Sequence, residues 1–155
     1  MNLRSDKGFT GVDITIAMIV ILIFIPTIFG SIYNIQKYNN GIKRETTALN
    51  MASDILEIAK ATRYNELNLE NESLFVNKMN EKYTNSGIGN SKYSYTGSDG
   101  IYYQIDIDLS NYYPVDIEVA NRKDLIKKVN VVVTYMVGKQ QKNVKIATAI
   151  QTPYI

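Results

Sequence analysis

The sequence of 155 residues contains neither cysteine nor histidine. Without them the chain has no thiol nucleophile, no zinc site of the usual kind, no Ser-His-Asp triad and no haem or iron–sulfur ligation. Disulfides are excluded as well, so a domain outside the cytoplasm would depend on packing alone for its stability. Carboxylate, lysine and tyrosine chemistry is left, and a binding or structural protein is the first expectation.

A large excess of either charge is also missing, because 17 Lys and Arg residues balance 15 Asp and Glu residues to a formal net charge of +2. Proteins that bind nucleic acid by neutralising phosphates carry a larger positive excess, so we expect no nucleic-acid partner. The carboxylates Asp106, Asp108, Asp116 and Glu118 do not have the spacing of a calcium site. A solvated strand face is the simpler interpretation of these carboxylates, and nothing in the sequence indicates a catalytic cleft. We expect no enzyme activity, no metal and no cofactor.

Charged residues are absent from residues 14–36, a run of 23 residues. A helix advances about 1.5 Å per residue, so roughly 20 residues cross a hydrocarbon core of about 30 Å, and this run is long enough to span a membrane. Arg4 and Lys7 precede it, which predicts a cytoplasmic N-terminus with the rest of the chain outside. A cleaved secretory signal fits less well, because Phe29-Gly30-Ser31 offers no pair of small residues at the spacing that signal peptidase needs. An ordinary uncleaved signal anchor stays open.

One carboxylate, Asp13, lies directly before this apolar run. An ionised carboxylate costs about 2.5–3.5 kcal/mol at the centre of a bilayer and less near its boundary, so such a residue usually has a partner. A position at the level of the lipid headgroups is the simpler alternative. The segment Lys7-Gly8-Phe9-Thr10-Gly11-Val12-Asp13, followed by the apolar run, resembles the leader and helix start of the type IV prepilins.

The resemblance implies that a prepilin peptidase cleaves after Gly8 and that Phe9 becomes the N-methylated first residue of the mature chain. Asp13 then occupies the fifth mature position, where the family usually has Glu, and would pair with the N-terminal ammonium of a neighbouring subunit. The implied partners are other pilin subunits, the prepilin peptidase and the inner-membrane assembly machinery. The membrane itself would hold the chain before assembly.

Two departures from the family pattern concern the first helix. Asp13 is one methylene shorter than Glu, and Pro26 comes earlier in the mature chain than the proline that commonly kinks major pilins. Both departures favour a minor pilin or a pseudopilin over the major subunit. Proline and glycine interrupt or loosen a helix, so we expect the helix to bend at Pro26 and Gly30.

The pattern beyond the apolar run predicts a helix followed by a sheet. Ile35, Ile42, Leu49 and Leu56 recur at seven-residue spacing, which indicates one helical stripe. Residues 61–90 are polar, with a short helix or turn indicated after Leu74. From residue 91 the period becomes two, which predicts two hairpins with strands at 92–96, 101–109, 129–137 and 144–150.

Four antiparallel strands with one apolar face need a cover. We therefore expect an α+β fold in which a long N-terminal hydrophobic α-helix packs its C-terminal half on a four-stranded antiparallel β-sheet head, as in pilins. The expected segments are a leader peptide at 1–8, a hydrophobic transmembrane and filament-core helix at 9–31, its amphipathic continuation at 32–63 and a globular head at 64–155.

The expected function is that of a structural subunit, a minor pilin, in a type IV pilus that serves adhesion, motility or filament initiation. A pseudopilin of a type II-like secretion or DNA-uptake machine is the alternative, and a plain membrane-anchored surface binding domain is a third possibility. The chain would cross the cell membrane once, N-in and C-out, before it joins an extracellular pilus. The missing cysteines and the abundance of Lys, Asn, Ile and Tyr favour a Gram-positive source.

Overall fold

The computed structural model describes residues 10–87, 89–111 and 126–151. Two helices and five strands follow one another along the chain. They are α1 (Gly11–Lys60), α2 (Leu74–Lys82), β1 (Thr84–Asn85), β2 (Lys92–Thr96), β3 (Tyr102–Asn111), β4 (Ile126–Val137) and β5 (Gln140–Gln151), with a 3₁₀ turn at Tyr64–Glu66. Residues group into two compact units that divide after Ile42.

The first unit consists of the N-terminal part of α1, which stays helical through Pro26 and Gly30. Proline has no amide hydrogen to donate to the carbonyl four residues before it, so one hydrogen bond of the helix is lost at Pro26. Close to this gap, the hydroxyl of Thr27 donates to the carbonyl of Ile23 (2.9 Å), and that of Ser31 donates to the carbonyl of Thr27 (2.9 Å). Such bonds often accompany a local bend of a helix. The bend at Pro26 and Gly30 stays a prediction.

The second unit is an antiparallel sheet covered by the C-terminal part of α1, which confirms the expected α+β layout. The strand order is β1-β2-β3-β4-β5, so each strand pairs with its neighbours in sequence. In the centre of the sheet Ile105 lies opposite Val133, and Ile107 lies opposite Val131. The inner face of β2, β3 and β4 carries the buried side chains Tyr93, Tyr103, Ile105, Ile107, Val129, Val131, Val133 and Tyr135.

Small side chains on α1 lie against this inner face. Ala48, Ala52 and Ala59 are fully buried, and Ile55 lies among them as a larger apolar contact. Because the first two are four residues apart and Ala59 follows seven residues later, they share one side of the helix. Burying a side chain of the size of valine or isoleucine contributes about 1.5–3 kcal/mol. Of the stripe predicted from the seven-residue spacing, Leu56 is buried, whereas Ile35, Ile42 and Leu49 are exposed. The helix therefore packs on the sheet through the neighbouring side that carries the alanines, and the predicted stripe was wrong at three of its four positions.

Helix α2 closes one side of this core. Its N-cap is Ser73, whose hydroxyl oxygen accepts a hydrogen bond from the amide of Val76 at 3.2 Å. Phe75, Val76 and Met79 are buried, at the spacing expected for one apolar side of a short helix. The short helix predicted in the polar connection is therefore present.

Two features of the sheet differ from the prediction. The structure adds β1, a fifth strand of two residues, which is too short to show a period-two pattern. It also extends β5 back to Gln140, so that the turn after β4 consists of Gly138 and Lys139 rather than residues 138–142. The first part of β5 is polar and exposed, so it shows no apolar alternation in the sequence. Gly138 allows the tight turn with a φ of 62°. Most of the segment between the two predicted hairpins, residues 112–125, lies outside the described residues.

Candidate assembly surface on the N-terminal helix

The first part of α1 exposes apolar side chains around its whole circumference. Every described residue from 10 to 40 is exposed. From Val12 to Ile42 the large apolar side chains are between 45% and 70% exposed, with Leu22 at 69% and Phe29 at 67%. A helix that is apolar all round is stable when it is buried in a membrane or among other apolar helices. This surface is the candidate functional site of the chain.

By length and composition, α1 is able to cross a membrane. Its uncharged part ends at Gln36, and two tyrosines, Tyr33 and Tyr38, lie at that end with 68% and 70% of their surface exposed. Tyrosine is enriched where a membrane-spanning helix leaves the hydrocarbon core, because its ring is apolar and its hydroxyl is polar. The distribution of residues is therefore consistent with a single helix that crosses a membrane and leaves the hydrocarbon core near these tyrosines.

Asp13 is held at the start of α1 by Thr10. The amide of Thr10 donates to Asp13 Oδ2 at 3.1 Å, and the Thr10 hydroxyl donates to the same oxygen at 2.7 Å. The amide of Asp13 in turn donates to the Thr10 carbonyl at 3.0 Å. Thr10 precedes the first helical residue and Asp13 is the third residue of the helix, the positions of a capping box. A negative charge here also interacts favourably with the helix dipole.

The capping arrangement was not anticipated from the sequence, although its signal is present there. A threonine followed three residues later by an acidic residue, just before an apolar run, is the pattern of a capped helix start. The hydrogen bonds of the Asp13 carboxylate both end on Oδ2. Among the described residues, Oδ1 has no hydrogen-bond partner. Gly8 and Phe9, the predicted cleavage and methylation positions, lie outside the described residues.

A polar cluster of the second unit lies between α1 and the end of α2. Lys82 Nζ lies 2.6 Å from Asp54 Oδ1, and the Tyr83 hydroxyl donates to Asp54 Oδ2 at 2.8 Å. Burial raises the pKa of Tyr83 above its usual range, and the hydrogen bond to Asp54 and the negative charge of that carboxylate raise it further. The ring of Tyr95 contacts that of Tyr83 edge-on, with 6.1 Å between centroids. Asp54 belongs to α1, whereas Lys82 and Tyr83 lie at the end of α2. Because each oxygen of Asp54 binds one of these two residues, the cluster joins α1 to the end of α2.

The carboxylates of β3 do not form a metal site in the part of the chain that the structure describes. Asp108 Oδ2 accepts a hydrogen bond from the Asn130 side chain at 3.0 Å, and Asp106 lies opposite Lys92 on the next strand. No group of three acidic side chains able to hold a metal ion is found among the described residues. Asp116 and Glu118 lie outside them.

Comparison with known proteins adds no relative. No family model, no curated protein and no solved structure matches the chain.

Proposed function

We propose that the chain is a structural subunit of a type IV pilus, a minor pilin rather than the major subunit. The observation that supports this most directly is the exposure of apolar side chains on every side of the first part of α1. Inside a membrane, lipid covers this surface. In a filament, the same surface of neighbouring subunits replaces lipid, and packing among the helices forms the filament core.

The second unit fits such a role because it encloses its own core. Its helix-on-sheet arrangement buries the apolar side of α1 from Ala48 to Ala59, so the head does not depend on a neighbour for its fold. A subunit built in this way has an apolar segment for assembly and a separate head for the filament surface. The proposed role is structural and not catalytic.

Asp13 supplies the proposed pairing group at the start of the helix. Its Oδ2 atom is bound to Thr10, and Oδ1 is available to the N-terminal ammonium of an adjacent subunit. A carboxylate among apolar helices is tolerated when it is paired with an opposite charge. Cleavage after Gly8 would create that ammonium on Phe9 and would retain both Thr10 and Asp13, so the helix cap would survive maturation.

The proposed topology places residues 1–8 in the cytoplasm and the head outside. Before assembly the subunit would be anchored in the membrane, where the prepilin peptidase and the assembly machinery act on it. After assembly it would reside in an extracellular pilus.

Immunogold labelling of surface filaments tests this function. Filaments that carry the head epitope, and that disappear when the prepilin peptidase gene is deleted, are the expected result. A labelled membrane without filaments in both strains contradicts it and indicates an anchored surface domain. Short filaments whose loss impairs secretion or DNA uptake, with motility and adhesion intact, indicate a pseudopilin.

A further inference from the structure

We infer that the basic end of the head, formed by Lys43, Arg44, Lys139 and Lys142, docks on an anionic phospholipid surface while the subunit resides in the membrane. All four residues belong to the second unit. The inference goes beyond filament assembly, and it depends on the membrane-spanning part of the proposed function. It concerns the state that precedes extraction into a filament.

A contact between α1 and the β4–β5 turn brings the four residues to one end of the head. Arg44 Nη1 donates to the carbonyl of Met136 at 3.0 Å, although the two residues are 92 positions apart. Met136 is the second-last residue of β4, and the turn that contains Lys139 follows directly. The contact therefore joins the turn to the beginning of the helical part of the head.

The backbone of the turn is held in place by the pairing of β4 with β5. β4 and β5 pair without interruption from Ile126 opposite Gln151 to Val137 opposite Gln140, and Gly138 takes up the positive φ that a two-residue turn requires. Lys139 and Lys142 are both exposed, and Lys142 lies opposite Tyr135. Their ammonium groups are carried on flexible stems from a backbone that is fixed by the sheet.

The charge of this hairpin is positive throughout. Residues 126–151 contain five lysines and no carboxylate. Lys127 is bound at the opposite end of β4, where it donates to the carbonyls of Tyr64 (3.0 Å) and Leu67 (2.8 Å), and it is no part of the basic end.

Among the described residues, two carboxylates lie near the basic end, so bases outnumber acids there by four to two. Glu45 is close enough to Tyr135, and Asp99 to Tyr103, to raise the pKa of those tyrosines. Asp99 Oδ1 accepts a hydrogen bond from the backbone amide of Ile101, two residues further along the chain (3.2 Å). Within the described part of the chain, neither carboxylate lies within 4.0 Å of a basic nitrogen of the basic end.

Chain connectivity limits how far Lys43 can lie from the end of the apolar helix. Lys43 follows Tyr38 by five residues. Even a fully extended chain covers at most about 3.5 Å per residue, so Lys43 stays within roughly 18 Å of Tyr38. Lysines near an anionic leaflet are attracted to it over about a Debye length, roughly 8–10 Å at physiological salt. The tether therefore lets Lys43 come within the range of this attraction, which favours contact of the basic end with an anionic lipid surface.

A single fluorescent label tests the inference, because the chain has no cysteine of its own. The full chain with Gln141→Cys carries the label beside the turn. It is reconstituted into vesicles of phosphatidylcholine alone or into vesicles in which about a third of the lipid is phosphatidylglycerol. Quenching by nitroxide groups on lipid headgroups then reports contact of the turn with the surface.

The expected result is stronger quenching in the phosphatidylglycerol vesicles, reduced by high salt. In Lys139→Gln/Lys142→Gln the equilibrium for surface contact is expected to fall by about fivefold for each lysine removed. The matched control is Lys60→Gln/Lys92→Gln, which removes the same charge from two exposed lysines away from the turn and leaves quenching unchanged.

Equal quenching in the two kinds of vesicle overturns the inference, as does an equal loss in the control variant. Quenching that rises with the ratio of protein to lipid, and not with phosphatidylglycerol, indicates contact between subunits and also overturns it. None of these outcomes depends on a peptidase or a filament. Failure of the lipid docking is therefore separate from failure of the pilin assignment.

Discussion

Thr10 and Asp13 are joined by three hydrogen bonds at the start of α1, two of which end on a single carboxylate oxygen of Asp13. The carboxylate therefore has a structural role within its own chain before any neighbour is considered. The helix cap and the proposed pairing with a neighbouring ammonium use different oxygens, and substitutions at residue 13 can separate the two roles.

Asp13→Ala is expected to leave leader cleavage intact and to reduce the amount of subunit in filaments. Removing one partner of a buried charge pair is costly, so the loss is expected to exceed about tenfold. Asp13→Glu keeps the charge and is expected to be tolerated, with incorporation equal to or above that of the wild type. Immunoblots of sheared filaments and of membranes measure both steps.

Asp13→Asn is the control that separates capping from pairing. The asparagine side chain still offers an oxygen to Thr10 but has no charge, and asparagine is tolerated near helix starts. We expect Asp13→Asn to reduce incorporation as Asp13→Ala does. Normal incorporation of Asp13→Asn would mean that residue 13 acts through the helix cap alone.

Neighbouring valines on opposite faces of β4 test the packing of the head. Val131 is fully buried, whereas Val132 is half-buried on the other face. Val131→Ala removes two methyl-sized groups from the core and is expected to lower the free energy of unfolding by about 2 kcal/mol. Val132→Ala is expected to cost less than half of that. The two variants are compared by urea unfolding of the full chain in detergent, followed by the circular dichroism of its tyrosines. Equal losses of unfolding free energy in the two variants would contradict the assigned inner face.

Gly138 tests the two-residue turn. Its φ of 62° is in the left-handed region, where a residue with a Cβ atom is disfavoured by roughly 1–2 kcal/mol. Gly138→Ala is expected to lower stability by about that amount, and Gly138→Asn by less, because asparagine tolerates this region. Equal stability of Gly138→Ala and the wild type in urea would argue against the turn.

Alkaline pH is expected to unfold the head. Burial is the main cause that raises the pKa of Tyr83, Tyr93, Tyr103 and Tyr135 above the ordinary value of 10.0. A raised pKa in the folded state means that the neutral form is favoured there, so this contribution to stability is complete below about pH 10 and is lost as the pH rises above it. Tyrosinate absorbance of these residues should appear together with loss of circular dichroism. Their ionisation in a head that stays folded would contradict the assigned burial.

The parts of the fold that repeat regularly were predictable from the sequence. Strand β3 was recognised because Ile105 and Ile107 alternate with polar residues, and β4 was recognised because it is rich in valine, which favours strands. Strand β1 was missed, since two residues cannot show a period, and the start of β5 was missed because an exposed edge strand needs no apolar face.

Contacts between distant residues account for the rest. The bond between Arg44 and Met136 and the ion pair between Lys82 and Asp54 depend on how the elements pack, and no local pattern specifies them. The link between Thr10 and Asp13 is local and is readable from spacing. Its functional meaning, by contrast, comes from the resemblance to prepilins and stays a prediction.

Intact mass spectrometry of the protein from its own cells, with and without the prepilin peptidase, decides whether the chain is processed as a pilin. We expect a mass that lacks Met1 to Gly8 and carries one additional methyl group in the strain that has the peptidase, and no such mass in the strain that lacks it. The full-length mass in both strains would mean that the chain is no pilin and that α1 is an ordinary membrane anchor.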